Sequence, residues 1–330
     1  MQEMEEDKGT VCVTGGTGFI ASWLIRRLLQ EGYSVRTTVR HDPENKRDLS
    51  FLTSLPGADE KLKIFSADLS DPDSFDAAIE GSKGVFHVAS PVDFENKEPE
   101  KIVTERVVGG TLGILKACIK AKTVKRVVYT SSASAVVFNG QESDMMDESF
   151  WSDLGFVREK VTPNYVSYII SKTLTEKAAL EFGAQHGLDV VTVIPSLVFG
   201  PFICPSLPAS VPLVFPLVSG NQQGFRFLKS PIVHVDDVAR AHVFLLEYPD
   251  AKGRYNCSSH IMSLDKLYEF LRVKYPEFSI PTSEYLAKIK GIERSGLSSK
   301  KLLDTGFTFN YGVEKMFDDT INCCKKKGYL

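Results

Sequence analysis

The feature that most constrains this chain is Gly15-Gly16-Thr17-Gly18-Phe19-Ile20-Ala21, which directly follows the β-branched run Thr10–Thr14 and opens an apolar-striped helix. The arrangement is G-x-x-G-x-x-A. Gly15 permits a sharp turn, and Gly18 has no side chain to keep a pyrophosphate from the helix N-terminus. Ala21 is small enough for helix and strand to pack closely. Strand, glycine loop and helix in this order predict a dinucleotide site, with Thr17, Phe19 and Ile20 beside the phosphates.

The following 180 residues or so keep the rhythm that such a site requires. Ser34–Val39, Leu62–Ser66, Gly84–Ala89, Arg126–Thr130 and Asp189–Ile194 read as strands. Phe19–Glu31, Asp71–Glu80, Glu100–Lys122 and Tyr168–His186 read as helices. This alternation predicts an α/β protein, a doubly wound parallel-sheet Rossmann fold with helices on both faces. After Pro195 the rhythm breaks, because Pro195, Pro201, Pro205, Pro208 and Pro212 block helices. Ile232–Tyr248 reads as a return to the first unit. We therefore expect a dinucleotide-binding domain over 1–195 plus 225–248, and a smaller, mainly helical C-terminal substrate domain over 196–224 plus 249–330. A length of 330 residues suits two units.

Composition narrows the partners. The 39 basic and 42 acidic side chains nearly cancel, which gives no electrostatic case for nucleic acid or an anionic membrane. No apolar run approaches about 18 residues, so no membrane span is expected. The acidic start Met1–Gly9 predicts no leader. Cys12, Cys118, Cys204, Cys257, Cys323 and Cys324 show no C-x-x-C spacing, which predicts reduced thiols, a cytoplasmic location and no metal site.

The end of the second strand selects the dinucleotide. An acidic residue there would bond a ribose hydroxyl, whereas arginine suits a 2′-phosphate. This chain has Arg40, with Lys46 and Arg47 nearby, which predicts NADP(H). Asp68, after the third strand, is a candidate neighbour of the adenine, with Leu69 beside it.

A dinucleotide enzyme also needs a proton donor. Tyr-x-x-x-Lys on a helix sets phenol and ammonium on one face, one turn apart, and the cation favours phenolate. The pattern occurs three times, at Tyr168/Lys172, Tyr248/Lys252 and Tyr311/Lys315. Tyr248 precedes Pro249 past a helix end, and Tyr311 lies in a glycine-containing loop. Tyr168 is expected to open a long helix, so Tyr168 and Lys172 are the candidates. Ser132, just past the strand Arg126–Thr130, stands at the carboxyl edge and can bond the substrate oxygen beside the phenol. His87 reads as a satisfied interior histidine. Asp236 and Asp237 beside His234 read as helix capping, and Cys323-Cys324 as packing.

TGGTGFIAS, YTSSASAV, YIISK and PSLVFGPF together resemble the extended short-chain dehydrogenase/reductases. More narrowly, they are similar to the plant dihydroflavonol, anthocyanidin and vestitone reductase family of flavonoid metabolism, with the vestitone reductases standing nearest. The likeness runs along the chain through ADLSDPDSFDAAIEG, GVFHVASPVDF, VHVDDVARAH, GRYNCSS and MFDD…CCKKKGYL. It implies that Ser132, Tyr168 and Lys172 form the catalytic triad and that Arg40 reads NADP. It also implies that Val88, Ala89, Ser90, Pro195, Val198 and Ser210 line the cofactor. Dihydroflavonol reductases carry asparagine where this chain has Val137, and cinnamoyl-CoA reductases have a signature that Asn164-Tyr165-Val166-Ser167 lacks.

Substrate contacts are expected from Ser90, Val137 and Phe138, and from the apolar, proline-rich wall Phe199–Val218. No arginine or lysine falls between Phe199 and Gln223, so that wall offers nothing to a diphosphate. It suits a flat aromatic ketone. Simple core packing by Leu213, Phe215 and Leu217 is the alternative. The expectation is an NADPH-dependent reduction of a flavonoid-type, isoflavanone-like carbonyl to an alcohol by a monomer. The alternatives are a dihydroflavonol or anthocyanidin reductase, a sugar-nucleotide epimerase or dehydratase, and a non-catalytic NADP-binding regulator.

Overall fold

The computed structural model describes residues 8–42, 44, 47–90, 98–141, 143–213, 227–280, 282–286, 288, 292–293 and 295–330. The first five strands are β1 (Thr10–Val13), β2 (Ser34–Val39), β3 (Leu62–Ser66), β4 (Gly84–His87) and β5 (Arg126–Thr130). The short β6 (Met145–Met146) comes next, followed by β7 (Val190–Pro195), β8 (Leu197–Phe199), β9 (Phe227–His234) and β10 (Gly253–Cys257). Near the C-terminus lie β11 (His260–Ser263), β12 (Ile292–Glu293) and β13 (Gly296–Leu297).

Among the described residues, seven strands form one sheet in the order β10-β7-β5-β4-β1-β2-β3, and every neighbouring pair is parallel. All positions of β5 and β7 are buried, as expected of strands covered on both faces. The two-residue period sorts side chains between two cores. Val11 and Val13 join the core under the helices Phe19–Gln30 and Val235–Glu247. Cys12 joins the opposite core, with Ile114, Leu115 and Phe182 of the helices Glu100–Ala121 and Pro163–His186. Strand order reverses at β1, between β2 and β4, and at such a switch point the carboxyl ends open a crevice.

A second lobe pairs β9 with β8, β11 and β12. It packs on the helices Leu264–Lys274 and Val313–Lys326 through Phe199, Ile232, Leu267, Leu271, Met316 and Phe317. The strands divide the chain differently from the boundaries expected at 225 and 249. β9 belongs to the second lobe, whereas β10 runs beside β7 in the first sheet. The reason is the free edge of β7: Gly253–Cys257 is largely buried and offers the backbone partners that this edge needs. The long helix also starts earlier than expected. Pro163 is its first residue, after Thr162, so Tyr168 lies in its second turn instead of opening it. No described helix is long and apolar enough to cross a membrane.

Candidate active site

The glycine loop is shaped by contacts that exclude side chains. Gly15 has φ +75°, and a Cβ there would stand 2.9 Å from Ala89 Cα. A Cβ on Gly16 would stand 2.3 Å from Thr37 Oγ1. Thr38 fixes the loop, since its Oγ1 accepts from Gly15 N (3.1 Å) and its carbonyl accepts from Gly16 N (2.8 Å). Gly18 is exposed and extended, and no side chain caps the helix that follows. First-turn N–H groups thus remain for an anion. Thr17 and Ile20 are half-buried, and Phe19 packs edge-on against Phe202 at 6.4 Å.

A neutral polar chain clamps β4 to β1. Thr14 Oγ1 accepts from Val88 N (3.1 Å) and Ala89 N (3.0 Å), and lies 2.9 Å from His87 Nδ1. With both lone pairs engaged, the Thr14 hydroxyl must donate to Nδ1, so the His87 proton sits on Nε2 and is donated to Thr111 Oγ1 (2.8 Å). Burial, reinforced by the Lys172 charge, pushes the imidazole down to about 3 and keeps it neutral. Ser90 follows this clamp. Its hydroxyl oxygen is buried and has no partner among the described residues. An unsatisfied hydroxyl beside an uncapped, side-chain-free helix start fits a dinucleotide.

Arg40 is exposed at the end of β2, and its carbonyl accepts from Arg47 Nη1 (2.9 Å). The Asp68 carboxylate accepts from Ser70 N (2.8 Å), which holds it below the usual carboxylate range, helped by Arg40 and Arg106. Asp68 therefore shapes its own turn. Leu69 packs against Gly110, where a Cβ would stand 2.7 Å from its carbonyl oxygen. Lys46 lies outside the described residues.

The candidate catalytic groups gather at the end of β5. Ser132 precedes a short turn, Ala133–Ala135, and its Oγ accepts from Ser134 N (3.1 Å). That bond uses an acceptor site and leaves the hydroxyl hydrogen to donate. Tyr168 is half-buried on the long helix and packs against Phe138, Val157, Ile169 and Ile170. One turn on, Lys172 is 3% exposed, donates to Thr130 O (2.8 Å) and lies 5.4 Å from the Tyr129 ring centroid. Burial lowers its ammonium to about 8, opposed by the Glu176 carboxylate. Lys172 is thus tied to the strand that carries Ser132, and Tyr168 shares its helix face.

The remaining expected residues are dispersed around this point. Val137 is half-buried where two apolar clusters meet, one containing Ala133 and Ile194 and the other Phe138. Phe138 is itself 6% exposed. Pro195 ends β7, Val198 is buried in β8, and the Ser210 hydroxyl donates to Val198 O. Residues 214–218 of the expected apolar wall, including Phe215 and Leu217, lie outside the described residues.

Asp236 and Asp237 do not cap their helix. His234 does, accepting from Asp236 N through Nδ1 at 3.0 Å. Asp236 instead binds Trp23, Arg27 and Tyr311, and Asp237 binds Arg240 and Asn310 N. The bond partners are distant in sequence, which is why position alone misled. The buried pair Glu176–Arg254 was also missed. The available signal was an acidic residue one turn after Lys172, on the same helix face.

Residues 11–258 match the NAD dependent epimerase/dehydratase family, and the chain belongs to it. It is an NAD(P)-dependent oxidoreductase of the extended short-chain type, and its cofactor is a nicotinamide dinucleotide. The chain is 57% identical over 327 residues to vestitone reductase of Medicago sativa, covering 99% of this chain and 100% of that protein. It is 47% identical to dihydroflavonol 4-reductase of Arabidopsis thaliana, covering 99% and 85%. The crystal structure of vestitone reductase from alfalfa has a TM-score of 0.89 at 55% identity, covering 98% and 100%. A yeast methylglyoxal/isovaleraldehyde reductase complexed with NADPH has a TM-score of 0.79 at 27% identity, covering 97% and 100%.

Proposed function

We propose that this protein reduces the carbonyl group of a flavonoid-type, isoflavanone-like ketone to an alcohol with NADPH. One observation carries the reading: Lys172, on the helix of Tyr168, is buried and bonded to the strand end that presents Ser132. The relatives that are reductases of flavonoid-type compounds support it.

The uncapped helix start and Gly18 would hold the pyrophosphate, Arg40 the 2′-phosphate, and Ala89, Ser90, Pro195 and Val198 the nicotinamide end. Bound NADPH supplies hydride to the carbonyl carbon. Tyr168 passes its phenolic proton to the carbonyl oxygen, and the Ser132 hydroxyl donates to the same oxygen. The Lys172 ammonium stabilises the phenolate left behind. That charge is carried below pH about 8 and lost as pH rises through that value. Val137 presents a methyl surface to aromatic rings instead of an amide to hydroxyl groups, which favours the isoflavanone-like substrate over a dihydroflavonol. The six free thiols support a cytoplasmic location.

The test is NADPH oxidation against isoflavanones, dihydroflavonols, anthocyanidins and UDP-sugars. Highest kcat/KM on an isoflavanone is expected. A preference for the dihydroflavonol, or turnover of a UDP-sugar alone, overturns the substrate assignment.

A further inference from the structure

Glu176 is fully buried, one turn beyond Lys172 on the same helix. Its Oε2 accepts from Ser131 Oγ at 2.6 Å, and its Oε1 accepts from Thr192 Oγ1 at 2.7 Å and Arg254 Nε at 2.9 Å. A single carboxylate thus binds the long helix to three adjacent strands: the end of β5, β7 and β10. Arg254 is fixed in turn. Its Nη1 donates to Glu148 O (2.7 Å) and Phe150 O (2.6 Å), and its guanidinium lies 3.5 Å from the Trp151 ring centroid.

Stability alone is a poor reason for this arrangement, because apolar side chains of similar volume often replace a buried ion pair without loss. The location supplies another reason. Ser131 immediately precedes Ser132, and the carboxylate stands one turn from Lys172. The titratable groups facing the Lys172 ammonium are Tyr168 and Glu176 on its own helix, Tyr129 on β5 and His87 on β4. Of these, His87 is neutral and Tyr129 is held protonated by burial. Glu176 is the carboxylate of the group, ion-paired with Arg254. Around Glu176 itself stand Arg254 on β10 and the Tyr129 phenol on β5. Beyond Arg254 lie Glu148 and Lys301.

We propose that Glu176 is a positioning residue for this reaction. Pinned by Arg254, Ser131 and Thr192, its carboxylate sets the Ser132 turn against the long helix and supplies the negative charge that keeps Lys172 an ammonium at working pH. The inference rests on the proposed roles of Tyr168 and Lys172. It follows that neutralising Glu176 lets Lys172 lose its proton at lower pH, so the phenolate loses its support earlier as pH rises.

The experiment is a kcat profile with NADPH and the best ketone from pH 5.5 to 9.5, for the wild type, Glu176→Gln and the double variant Glu176→Gln/Arg254→Gln. The double variant leaves no unpaired buried charge, so it keeps the test alive if the single variant folds poorly. In both variants the high-pH limb is expected to move down by about one unit, with a loss of about fivefold at pH 8, approaching about tenfold at pH 9.5, and less than about threefold at pH 6. An unmoved limb, or a loss of equal size at every pH, overturns the proposal and makes Glu176 a purely structural anchor. Tyr168→Phe is run in parallel. If it turns over freely, the catalytic assignment itself fails; if it is inactive while the limb stays fixed, only the role of Glu176 falls.

Discussion

Two of the three copies of the Tyr-x-x-x-Lys pattern have opposite outcomes. Tyr168 and Lys172 share one helix at the carboxyl edge of the large sheet, and the lysine is buried against β5. Tyr311 precedes Gly312, the residue that starts the helix Val313–Lys326, so it is not on the helix that carries Lys315. Its ring stacks on His234 at 3.9 Å and its hydroxyl donates to Asp236 Oδ2 at 3.1 Å. Burial and the neighbouring carboxylates push that phenol up, holding it protonated. Lys315 is exposed and pairs with Asp319. Spacing therefore sets only the distance along the chain. In one pair the cation is buried against the sheet edge at the candidate site; in the other the phenol is bonded among carboxylates and becomes a staple between lobes.

Substitutions can break this contrast, and the largest effect falls on the sheet edge. Tyr168→Phe should lower kcat by about 10²–10⁴-fold while NADPH binding persists, measured by turnover and by cofactor fluorescence titration. Lys172→Ala should come close to that loss. Retention of a tenth of the wild-type rate by Tyr168→Phe would remove the distinction between the two pairs. Arg40→Ala comes next. Losing a charge-assisted contact worth about 1.5–3 kcal/mol should raise the NADPH KM by about one to two decades and leave NADH nearly unchanged. Equal losses with both cofactors would make Arg40 structural.

Val137→Asn tests the boundary between edge and lobe more gently. It should shift relative kcat/KM toward dihydroflavonols by a few-fold, read as a ratio of two substrates in one preparation. Smallest of all for activity is Tyr311→Phe. Loss of its hydrogen bond should cost about 1 kcal/mol in urea unfolding and leave kcat within about twofold. A large kcat loss there would show that the staple also positions the cleft.

Much of the sheet edge was legible because its determinants are local. The glycine loop, β1 to β5 and the grouping of Ser132 with Tyr168 and Lys172 all follow from short-range periodicity and from where strand ends fall in a doubly wound sheet. The long helix starts five residues before the expected Tyr168, where Thr162-Pro163 is a good opening pair. The place of β10 and the Glu176–Arg254 pair were not legible for a physical reason. Arg254 lies 78 residues from its partner, and nothing local to Gly253–Cys257 says which sheet edge it will cover. Asp236 and Asp237 sat where a helix dipole favours acids, yet distant donors, Trp23 and Asn310 N among them, claimed their oxygens.

The late arrival of β10 has a consequence for biosynthesis. A nascent chain that has emerged from the ribosome only as far as Glu247 already contains β1 through β5 and β7, but the outer backbone groups of β7 have no neighbour. The Glu176 carboxylate inside it has no guanidinium. One five-residue strand supplies both, sealing the exposed edge and delivering the counter-ion in a single docking step. Until Cys257 clears the exit tunnel, both the edge and the carboxylate wait for that strand, so the first sheet closes as a late step of synthesis.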